Sequence, residues 1–256
     1  MRRFANGCQV TPASDAELIG EEQREGCRRF RRPISRANGA REIAQTVSVY
    51  RGGRAPARIN PGGDEVHYVV AGEGLCWIDG GRYEMKTGTA FYIPAGAAYA
   101  IENTRDHELQ IVAVSCPEDD GSRIVDDQSI AVKGKDLAPH RRLTTDESAA
   151  RAIPTGDREF KLLIDKSFGC ARVTQFIGFI PQSRAPQHHH PYEEAIYILE
   201  GKGIIWAGEE SCEFAPGTSI YLPIGTKHCL ENPFSEPVRL LGVFYPSGSP
   251  AVNYRD

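Results

Sequence analysis

The sequence lacks several features that would mark a membrane or nucleic-acid-binding protein. Among its 256 residues no apolar run approaches bilayer length, and MRRFANGCQV lacks the apolar core of a signal peptide. The formal net charge of -4 and a pI near 6.0 leave no basic excess. We therefore expect no nucleic-acid or membrane partner, a small-molecule substrate and a cytoplasmic location.

A cysteine pattern is also missing. The seven cysteines are scattered, their number is odd, and no CxxC pair occurs. This distribution indicates neither a disulfide framework nor a zinc knuckle. Most are expected to be small buried residues, including Cys229. The length and the 40% hydrophobic content suit one large domain or two small ones.

Histidine, in contrast, is concentrated. Four of the seven histidines lie between residues 187 and 232. His188 and His190 are two apart, so on an extended segment their side chains point to the same face. Glu194 can rejoin that face after a turn, and His228 can reach it from another strand. The alternative is a solvated histidine run with a buried His228 in the core, but we favour a shared metal site.

The donor set predicts the kind of metal. Three imidazoles and one carboxylate suit Fe, Mn, Ni, Cu or Zn, while the absence of sulfur argues against a structural zinc site. We expect one divalent transition metal ion per chain, with Fe(II) or Mn(II) favoured and Ni, Zn or Cu as alternatives. Four protein ligands leave about two open positions on a six-coordinate ion, as a catalytic metal requires.

The spacing of these residues resembles two motifs of the cupins. The first motif corresponds to His188, His190, Glu194 and Gly201. The second corresponds to Gly217, Pro223, Gly225, His228 and Asn232. One departure is Gln182, which stands where the family often has glycine. The resemblance implies a jelly-roll barrel that holds a metal.

The chain also contains an internal repeat with an offset of 129 residues. The matched positions are Glu65 and Glu194, Gly72 and Gly201, Gly74 and Gly203, Trp77 and Trp206, Gly88 and Gly217, Pro94 and Pro223, Gly96 and Gly225, Asn103 and Asn232, and Pro117 and Pro246. The resemblance therefore extends over roughly residues 45 to 250 as a bicupin. We predict an all-β fold of two tandem cupin jelly-roll (double-stranded β-helix) barrels.

The two copies differ at the ligand positions. Subtracting 129 from the four ligand numbers gives Ile59, Pro61, Glu65 and Tyr99, so only the carboxylate remains. The N-terminal copy should not bind a metal through the usual ligands. We expect it to be a structural partner with a vestigial or apolar cavity, and His67 to be an ordinary strand residue.

The predicted organisation has four parts. Residues 1–44 form an extension with an arginine cluster, expected to be a solvated face or to pair with acidic residues elsewhere, and with a short helix from Asp15 to Arg24. Residues 45–121 form the N-terminal barrel and residues 122–157 a linker, in which IAVKGK is a candidate strand. Residues 158–256 form the C-terminal barrel. A homodimer is a further expectation, because edge strands and arms favour pairing.

Several residues near the motifs are candidates to shape the cavity. They are Gln182, Arg184, Tyr192, Ile196, Ile198, Trp206 and Tyr221. Of these, Arg184 and Tyr192 are predicted to be catalytic, with Arg184 holding a substrate carboxylate. Glu194 is expected to serve as a base when it is displaced from the metal.

Three classes of function stay open. The resemblance favours a metal-dependent dioxygenase-type oxidoreductase. The alternative is a non-redox isomerase, decarboxylase, lyase or aminohydrolase, and the third class is a non-catalytic binding module. Two-domain oxalate decarboxylases fit less well, because they usually carry full ligand sets in both copies and are longer.

Overall fold

The protein consists of two antiparallel β-barrels in tandem, which confirms the predicted bicupin fold class. This computed structural model describes residues 1–15, 20–22, 28–118, 121–126, 130 and 142–252. Three single-turn 3-10 helices lie at Arg36–Asn38, Glu147–Ala149 and Lys166–Phe168. No helix in these ranges is both long enough and apolar enough to span a membrane.

Twenty-five strands make up the described part of the chain. The first thirteen are β1 (Arg2–Arg3), β2 (Gln9–Thr11), β3 (Gly20–Glu22), β4 (Arg28–Ile34), β5 (Ala44–Tyr50), β6 (Gly53–Arg54), β7 (Arg58–Ile59), β8 (Asp64–Ala71), β9 (Glu73–Ile78), β10 (Gly81–Lys86), β11 (Thr89–Ile93), β12 (Ala98–Asn103) and β13 (Leu109–Cys116). The others are β14 (Arg123–Ile124), β15 (Thr144–Asp146), β16 (Ala152–Thr155), β17 (Arg158–Ile164), β18 (Thr174–Ile180), β19 (Ser183–Arg184), β20 (Glu193–Glu200), β21 (Gly203–Ala207), β22 (Glu210–Phe214), β23 (Ser219–Leu222), β24 (His228–Asn232) and β25 (Val238–Tyr245).

Each barrel is built from two sheets. In the N-terminal barrel one sheet has the order β15-β11-β8-β13-β5-β4-β3, and the other has β10-β9-β12-β7-β14 with β6 beside β12. In the C-terminal barrel the orders are β1-β2-β23-β20-β25-β18-β17-β16 and β19-β24-β21-β22. The sheets enclose an apolar core, and the candidate sites lie inside the barrels.

Strands β8 and β20 are buried on both faces for most of their length. One face lines its own barrel and the other packs against the neighbouring barrel. Across this interface Arg239 Nη2 donates to the Tyr68 hydroxyl at 2.6 Å, and Gln110 Nε2 donates to the Tyr197 hydroxyl at 3.1 Å. The two contacts correspond to each other in the repeat, because Arg239 and Gln110 differ by 129 positions, as do Tyr197 and Tyr68. The repeat in the sequence therefore corresponds to an approximate twofold arrangement of the barrels.

The described parts of the segments before each repeat contain strands that join the barrels. Strand β2, in the first segment, pairs with β23 of the C-terminal barrel, while β4 pairs with β5 of the N-terminal barrel. In the second segment β15 pairs with β11 of the N-terminal barrel and β16 pairs with β17. Each barrel therefore gains an edge strand from the segment that precedes the other barrel.

One local prediction needs correction here. The predicted helix from Asp15 to Arg24 is wrong where the chain is described, because Gly20–Glu22 is a strand that pairs with β4. Residues 16–19 and 23–24 of that helix lie outside the described residues, as does IAVKGK apart from Ile130. The arginine cluster does pair with acidic residues, since Arg32 lies 3.7 Å from Glu118 and Arg36 lies 3.3 Å from Glu42. Arg31 also donates to the carbonyls of Ala13 and Gly217.

Candidate metal centre

Three histidines and one glutamate meet inside the C-terminal barrel. The ligand nitrogens of His188, His190 and His228 all lie within 4.8 Å of one another. Oε2 of Glu194 is 3.7 Å from His190 Nε2 and 4.0 Å from His228 Nε2. The structure therefore brings together all four residues that the sequence predicted as ligands.

The backbone fixes where the four side chains originate. His188 and His228 exchange two backbone hydrogen bonds of 2.9 Å, which hold the segment before β20 against the start of β24. His190 is two residues further along this segment and lies on the same face. Glu194 begins the inward-facing set of β20. Two neighbouring segments and one strand thus converge at one end of the barrel.

Hydrogen bonds to the backbone orient two of the rings. Nδ1 of His228 is 2.8 Å from the Thr226 carbonyl, and Nδ1 of His188 is 3.1 Å from the Pro186 carbonyl. A carbonyl accepts only from a protonated nitrogen, so a neutral ring carries its lone pair on Nε2. Burial and the nearby imidazoles lower the pKa of His190 to about 3 and that of His228 well below its usual value. Neutral rings are the form that binds a metal.

The Glu194 carboxyl group tests whether a metal fits this cluster. It is only 5% exposed, and burial raises its pKa to about 8. Among the described residues no side chain or backbone N–H donates a hydrogen bond that offsets this burial. A buried carboxylate is costly unless it is paired or coordinates a cation. The three imidazoles and this carboxylate therefore fit a divalent transition metal ion.

Tyr192 supports the cluster from behind. Its ring stacks on His190 with the centroids 4.9 Å apart and the planes at 13°, and it also packs on Phe244 at 4.3 Å. Its hydroxyl donates to the Ser249 carbonyl at 3.0 Å. Tyr192 is not among the residues that line the cavity. It is a positioning residue for His190 rather than a group that touches substrate.

A cavity of about 230 Å³ adjoins the four residues. Its walls are largely apolar and are formed by Phe160, Phe176, Phe179, Ile196, Leu230, Leu240 and Phe244. One cation lies among them. The guanidinium of Arg158 donates to the Leu230 carbonyl at 2.7 Å, and its side chain is 16% exposed. The cavity therefore combines a metal-type cluster, an apolar wall and one buried positive charge.

The cavity does not include most of the candidates predicted to shape it. Arg184 lies on the outer surface, where it stacks 4.1 Å above Trp206 and lies 3.8 Å from Glu231. Gln182 is exposed and donates to the Pro233 carbonyl. The prediction that these side chains face inward is wrong, because β19 and β21 direct them to the outside of the barrel.

Two other candidates are buried away from the cavity lining. Tyr221 points towards the N-terminal barrel and donates to Glu193, because on β23 its neighbour Leu222 occupies the inward face. Ile198 packs in the C-terminal core without lining the cavity. Ile196 is the one predicted wall residue that does line it.

Arg158 was missed by the sequence reasoning, because it lies 30 residues before the first histidine and in no motif. A signal for it exists in the internal repeat. In the N-terminal barrel the residue 130 positions earlier is Arg28, which also lines the cavity of its barrel. A second alignment of the repeat, at this offset, would have found the pair.

The same one-residue shift corrects the comparison of the two sites. Tyr99 pairs with Arg58 in the N-terminal barrel, whereas His228 pairs with His188 in the C-terminal barrel. The first ligand positions therefore differ by 130 and the last by 129. The extra residue lies in the Asn60–Glu65 loop.

The N-terminal counterparts of the four ligands are therefore Arg58, Asn60, Glu65 and Tyr99. The assignment of Ile59 and Pro61 was wrong, because one constant offset was applied across the loop that contains the extra residue.

The N-terminal counterpart of Glu194 is fully supplied with hydrogen bonds. The Tyr99 hydroxyl donates to Glu65 Oε2 at 2.9 Å, and His67 Nε2 lies 2.8 Å from the same oxygen. Burial alone would raise the pKa of Glu65, but the hydrogen bonds from His67, Tyr99 and Asn60 outweigh it and lower the pKa. His67 is therefore part of a buried polar network, and the cavity around it is polar rather than apolar.

Two β-barrels in tandem, with a metal-type cluster inside one of them, define the class of this protein as a double-barrel jelly-roll protein. A comparison with known families gives the more particular assignment. The family described as Cupin domain matches residues 45–115 and 175–244, more than half of the chain. The chain belongs to this family and is a tandem bicupin.

Curated relatives and solved structures agree with this assignment. An uncharacterized protein of Methanocaldococcus jannaschii is 40% identical over 58 residues, which are 23% of this chain and 46% of that protein. An uncharacterized protein of Streptomyces coelicolor is 33% identical over 63 residues, which are 25% of this chain and 59% of that protein. The matched segment thus spans about half the length of these relatives.

The solved structures show a likeness over nearly the whole chain. A structure of oxalate decarboxylase has a TM-score of 0.76 at 14% identity and covers 94% of this chain and 77% of that chain. A variant of Bacillus subtilis oxalate decarboxylase has a TM-score of 0.73 at 14% identity, with 93% and 77% covered. At this level of identity the likeness supports the fold.

Proposed function

We propose that this bicupin is a metal-dependent enzyme that acts on a small organic acid inside its C-terminal barrel. The observation that carries the proposal is the buried Glu194 carboxyl group, which the described residues leave without a hydrogen-bond donor beside three converging histidines. His188, His190, Glu194 and His228 would hold the ion. When bound, a metal in this site supplies Lewis-acid or redox chemistry at its open positions.

The protein residues would orient the substrate between two fixed ends. Among the described residues, Arg158 is the one guanidinium that lines the cavity, so it would bind a carboxylate of the substrate. Phe160, Phe176 and Phe244 would contact the apolar part of the molecule and exclude water. Tyr192 would keep the His190 ring in place. The bound molecule would then lie between Arg158 and the four residues that would hold the ion.

Between reaction types, the wall of the cavity favours a dioxygenase-type reaction. Decarboxylation leaves a carbanion that needs a proton from an acid within hydrogen-bond reach. Apart from the metal-type cluster, the acidic residues that line the cavity are Asp157 and Glu159, and both are exposed at its rim. The apolar wall beside Glu194 offers no such donor among the described residues.

The second candidate is a non-redox decarboxylase. The likeness to oxalate decarboxylase favours it, and a study of the Bacillus subtilis enzyme describes Mn(II) centres in that protein. By this analogy Mn(II) and Fe(II) are the first metals to test. The volume of about 230 Å³ and the phenylalanine wall favour an acid with an apolar body over oxalate itself.

The test is metal analysis of protein purified without chelators, followed by parallel assays of dioxygen uptake and carbon dioxide release. The assays use Fe(II)- or Mn(II)-reconstituted protein and a panel of phenolic, 2-oxo and dicarboxylic acids. About one metal ion per chain with substrate-dependent dioxygen uptake supports the oxygenase. Carbon dioxide release without dioxygen uptake supports the decarboxylase. A chain that binds no metal after reconstitution contradicts the proposal.

A further inference from the structure

The N-terminal barrel contains a second cavity that the reaction does not use. It measures about 80 Å³ and lies inside the barrel, at the place where the C-terminal barrel gathers its histidines. Its lining is mainly polar and charged. The charged members are Arg28, Arg32, Arg58, Glu65 and Glu118, and the hydroxyl-bearing members are Thr46, Ser48, Tyr50, Tyr99, Ser115 and Ser122.

Strand periodicity places the arginines in this cavity. Arg28, Phe30 and Arg32 alternate along β4 and line it, whereas Arg31 between them points to the other barrel. Nε of Arg28 donates to Ser48 at 3.0 Å, which holds its side chain across the cavity. Arg58 enters from β7, at the backbone position that His188 occupies in the other barrel. Guanidinium groups thus approach from two separate strands.

The charges that line the cavity favour an anion. Among the described lining residues, three guanidiniums face two carboxylates. Arg32 lies 3.7 Å from Glu118, and the carboxylate of Glu65 already accepts from Tyr99 and Asn60. Arg28 and Arg58 place two further guanidinium groups in the same lining. A guanidinium pair with nearby hydroxyls is suited to a planar oxyanion.

One buried atom also points to a polar ligand. His67 is 2% exposed, and its Nε2 is engaged with Glu65. Its Nδ1 is buried without a hydrogen-bond partner among the described residues. A buried ring nitrogen of this kind costs free energy unless a polar atom lies beside it. The same ring lines the cavity between Glu65 and Tyr99.

We propose that the N-terminal barrel binds a small planar oxyanion, a carboxylate or bicarbonate, through Arg28 and Arg58. In this proposal the arginines of the N-terminal barrel supply the positive charge that a metal ion held by the histidines would supply in the C-terminal barrel. Because the cavity is about 80 Å³ against about 230 Å³ in the C-terminal barrel, formate, acetate and bicarbonate fit it, whereas an aromatic acid does not. The tetrahedral dianion phosphate matches the planar guanidinium groups and the balance of three arginines against two glutamates in the described lining less well than a planar monoanion does.

The binding test uses the full chain with His190→Ala, so that the metal cluster of the C-terminal barrel cannot contribute. Isothermal titration calorimetry with formate, acetate, bicarbonate and phosphate is expected to give one site per chain for the planar anions. Arg58→Met and Arg28→Met should each weaken binding by about tenfold or more, while Arg184→Met leaves it unchanged. Acetate and bicarbonate titrations distinguish an organic from an inorganic source.

Three results would overturn the proposal. They are absence of binding at millimolar anion, preference for phosphate, and loss of binding in Arg158→Met with retention in Arg58→Met. The last result would place the anion in the C-terminal barrel.

Should the arginine variants fail to fold, phenylglyoxal modification of the unaltered protein provides the same information. The anion should slow modification of Arg28 and Arg58, mapped by mass spectrometry, and leave the exposed Arg184 unaffected. Equal modification rates with and without the anion would contradict the assignment.

Discussion

Glu65 and Glu194 occupy the same place in two copies of one barrel, yet they have opposite surroundings. Glu65 accepts hydrogen bonds from a hydroxyl, an amide and a ring, and its pKa is lowered despite complete burial. Glu194 Oε2 lies 3.7 Å from His190 Nε2 and 4.0 Å from His228 Nε2, beyond hydrogen-bond distance, and burial raises its pKa to about 8. A buried carboxylate is costly unless protein donors or a cation stabilise it. The N-terminal barrel supplies protein donors, and we propose that the C-terminal barrel supplies a cation.

The framework around both carboxylates is unchanged. Gly72 and Gly201 both have positive φ values, 88° and 79°, and a Cβ on either would lie 2.6 Å from a backbone carbonyl oxygen. Asn103 and Asn232 both donate to carbonyls of the strand that begins the repeat. Side chains at the site have diverged while the backbone has been kept, as expected when function depends on a site placed on a common fold.

The largest expected effect comes from His190→Ala. This change removes one of three imidazoles, so metal content should fall from about one ion per chain to near zero. The Tm increase that Mn(II) gives the unaltered protein should disappear with it. At a metal concentration of 100 times Kd that increase corresponds to about 2.7 kcal/mol.

The matched control for this change is Asn60→Ala in the N-terminal barrel, which should keep both the metal and the Tm shift. Metal loss in Tyr99→Phe or Glu65→Ala instead would mean that the metal lies in the other barrel.

The next effect concerns Arg158. Arg158→Met keeps most of the side-chain volume but removes the positive charge of the cavity. A charge-assisted hydrogen bond contributes about 1.5–3 kcal/mol, so KM for an acidic substrate should rise by roughly 10- to 150-fold. Metal content should not change. Steady-state kinetics with an acidic substrate and its neutral amide tests this role. The unaltered protein should have the lower KM for the acid, and this difference in KM should disappear in the variant. Equal sensitivity of both substrates would contradict the role.

A smaller effect is expected at Glu65. Glu65→Gln weakens the hydrogen bonds from Tyr99, Asn60 and His67 and should lower the free energy of unfolding by about 1–3 kcal/mol at neutral pH. Because the folded-state pKa of Glu65 is lowered, its ionised form stabilises the protein above about pH 4.5, and this contribution disappears as the pH falls through the folded-state pKa.

The Glu65→Gln variant should therefore lose less stability on acidification than the unaltered protein. Urea unfolding at several pH values measures both quantities. Glu73→Gln, which breaks an exposed pair with Arg105, is the control and should change stability by about 0.5 kcal/mol or less. An unchanged pH dependence in Glu65→Gln would show that the network does not hold the charged form.

The smallest effect belongs to Arg184. Arg184→Met removes an exposed cation that stacks on Trp206 outside the cavity. An exposed cation–π contact contributes about 0.5–1 kcal/mol, so stability should fall by no more than this. We expect kcat/KM to stay within about twofold of the unaltered value, because Arg184 does not line the cavity. A twofold change corresponds to less than about 0.5 kcal/mol. A large rise in KM would restore the original prediction that Arg184 binds the substrate.

The sequence was sufficient for the fold and for the convergence of the four candidate ligands, since turn glycines and ligand spacing are local signals. It failed where one residue altered a register. Because of the extra residue in the Asn60–Glu65 loop, the constant offset assigned Ile59 and Pro61 as counterparts of the ligands in place of Arg58 and Asn60. The polar cavity was therefore not predicted.

Arg158 and Arg28 escaped prediction for a different reason. Their positions depend on which face of a strand turns inward, and β4 and β17 carry mixed polar and apolar residues on both faces. Tyr221 and Trp206 were misplaced for the same reason, since strand alternation gives two faces without saying which one is inside.

Anomalous diffraction from crystals of the full chain grown with Mn(II) tests the central claim most directly. The account predicts one peak per chain, surrounded by His188, His190, Glu194 and His228, with no peak beside Glu65. A peak beside Glu65, or none in the C-terminal barrel, would contradict it.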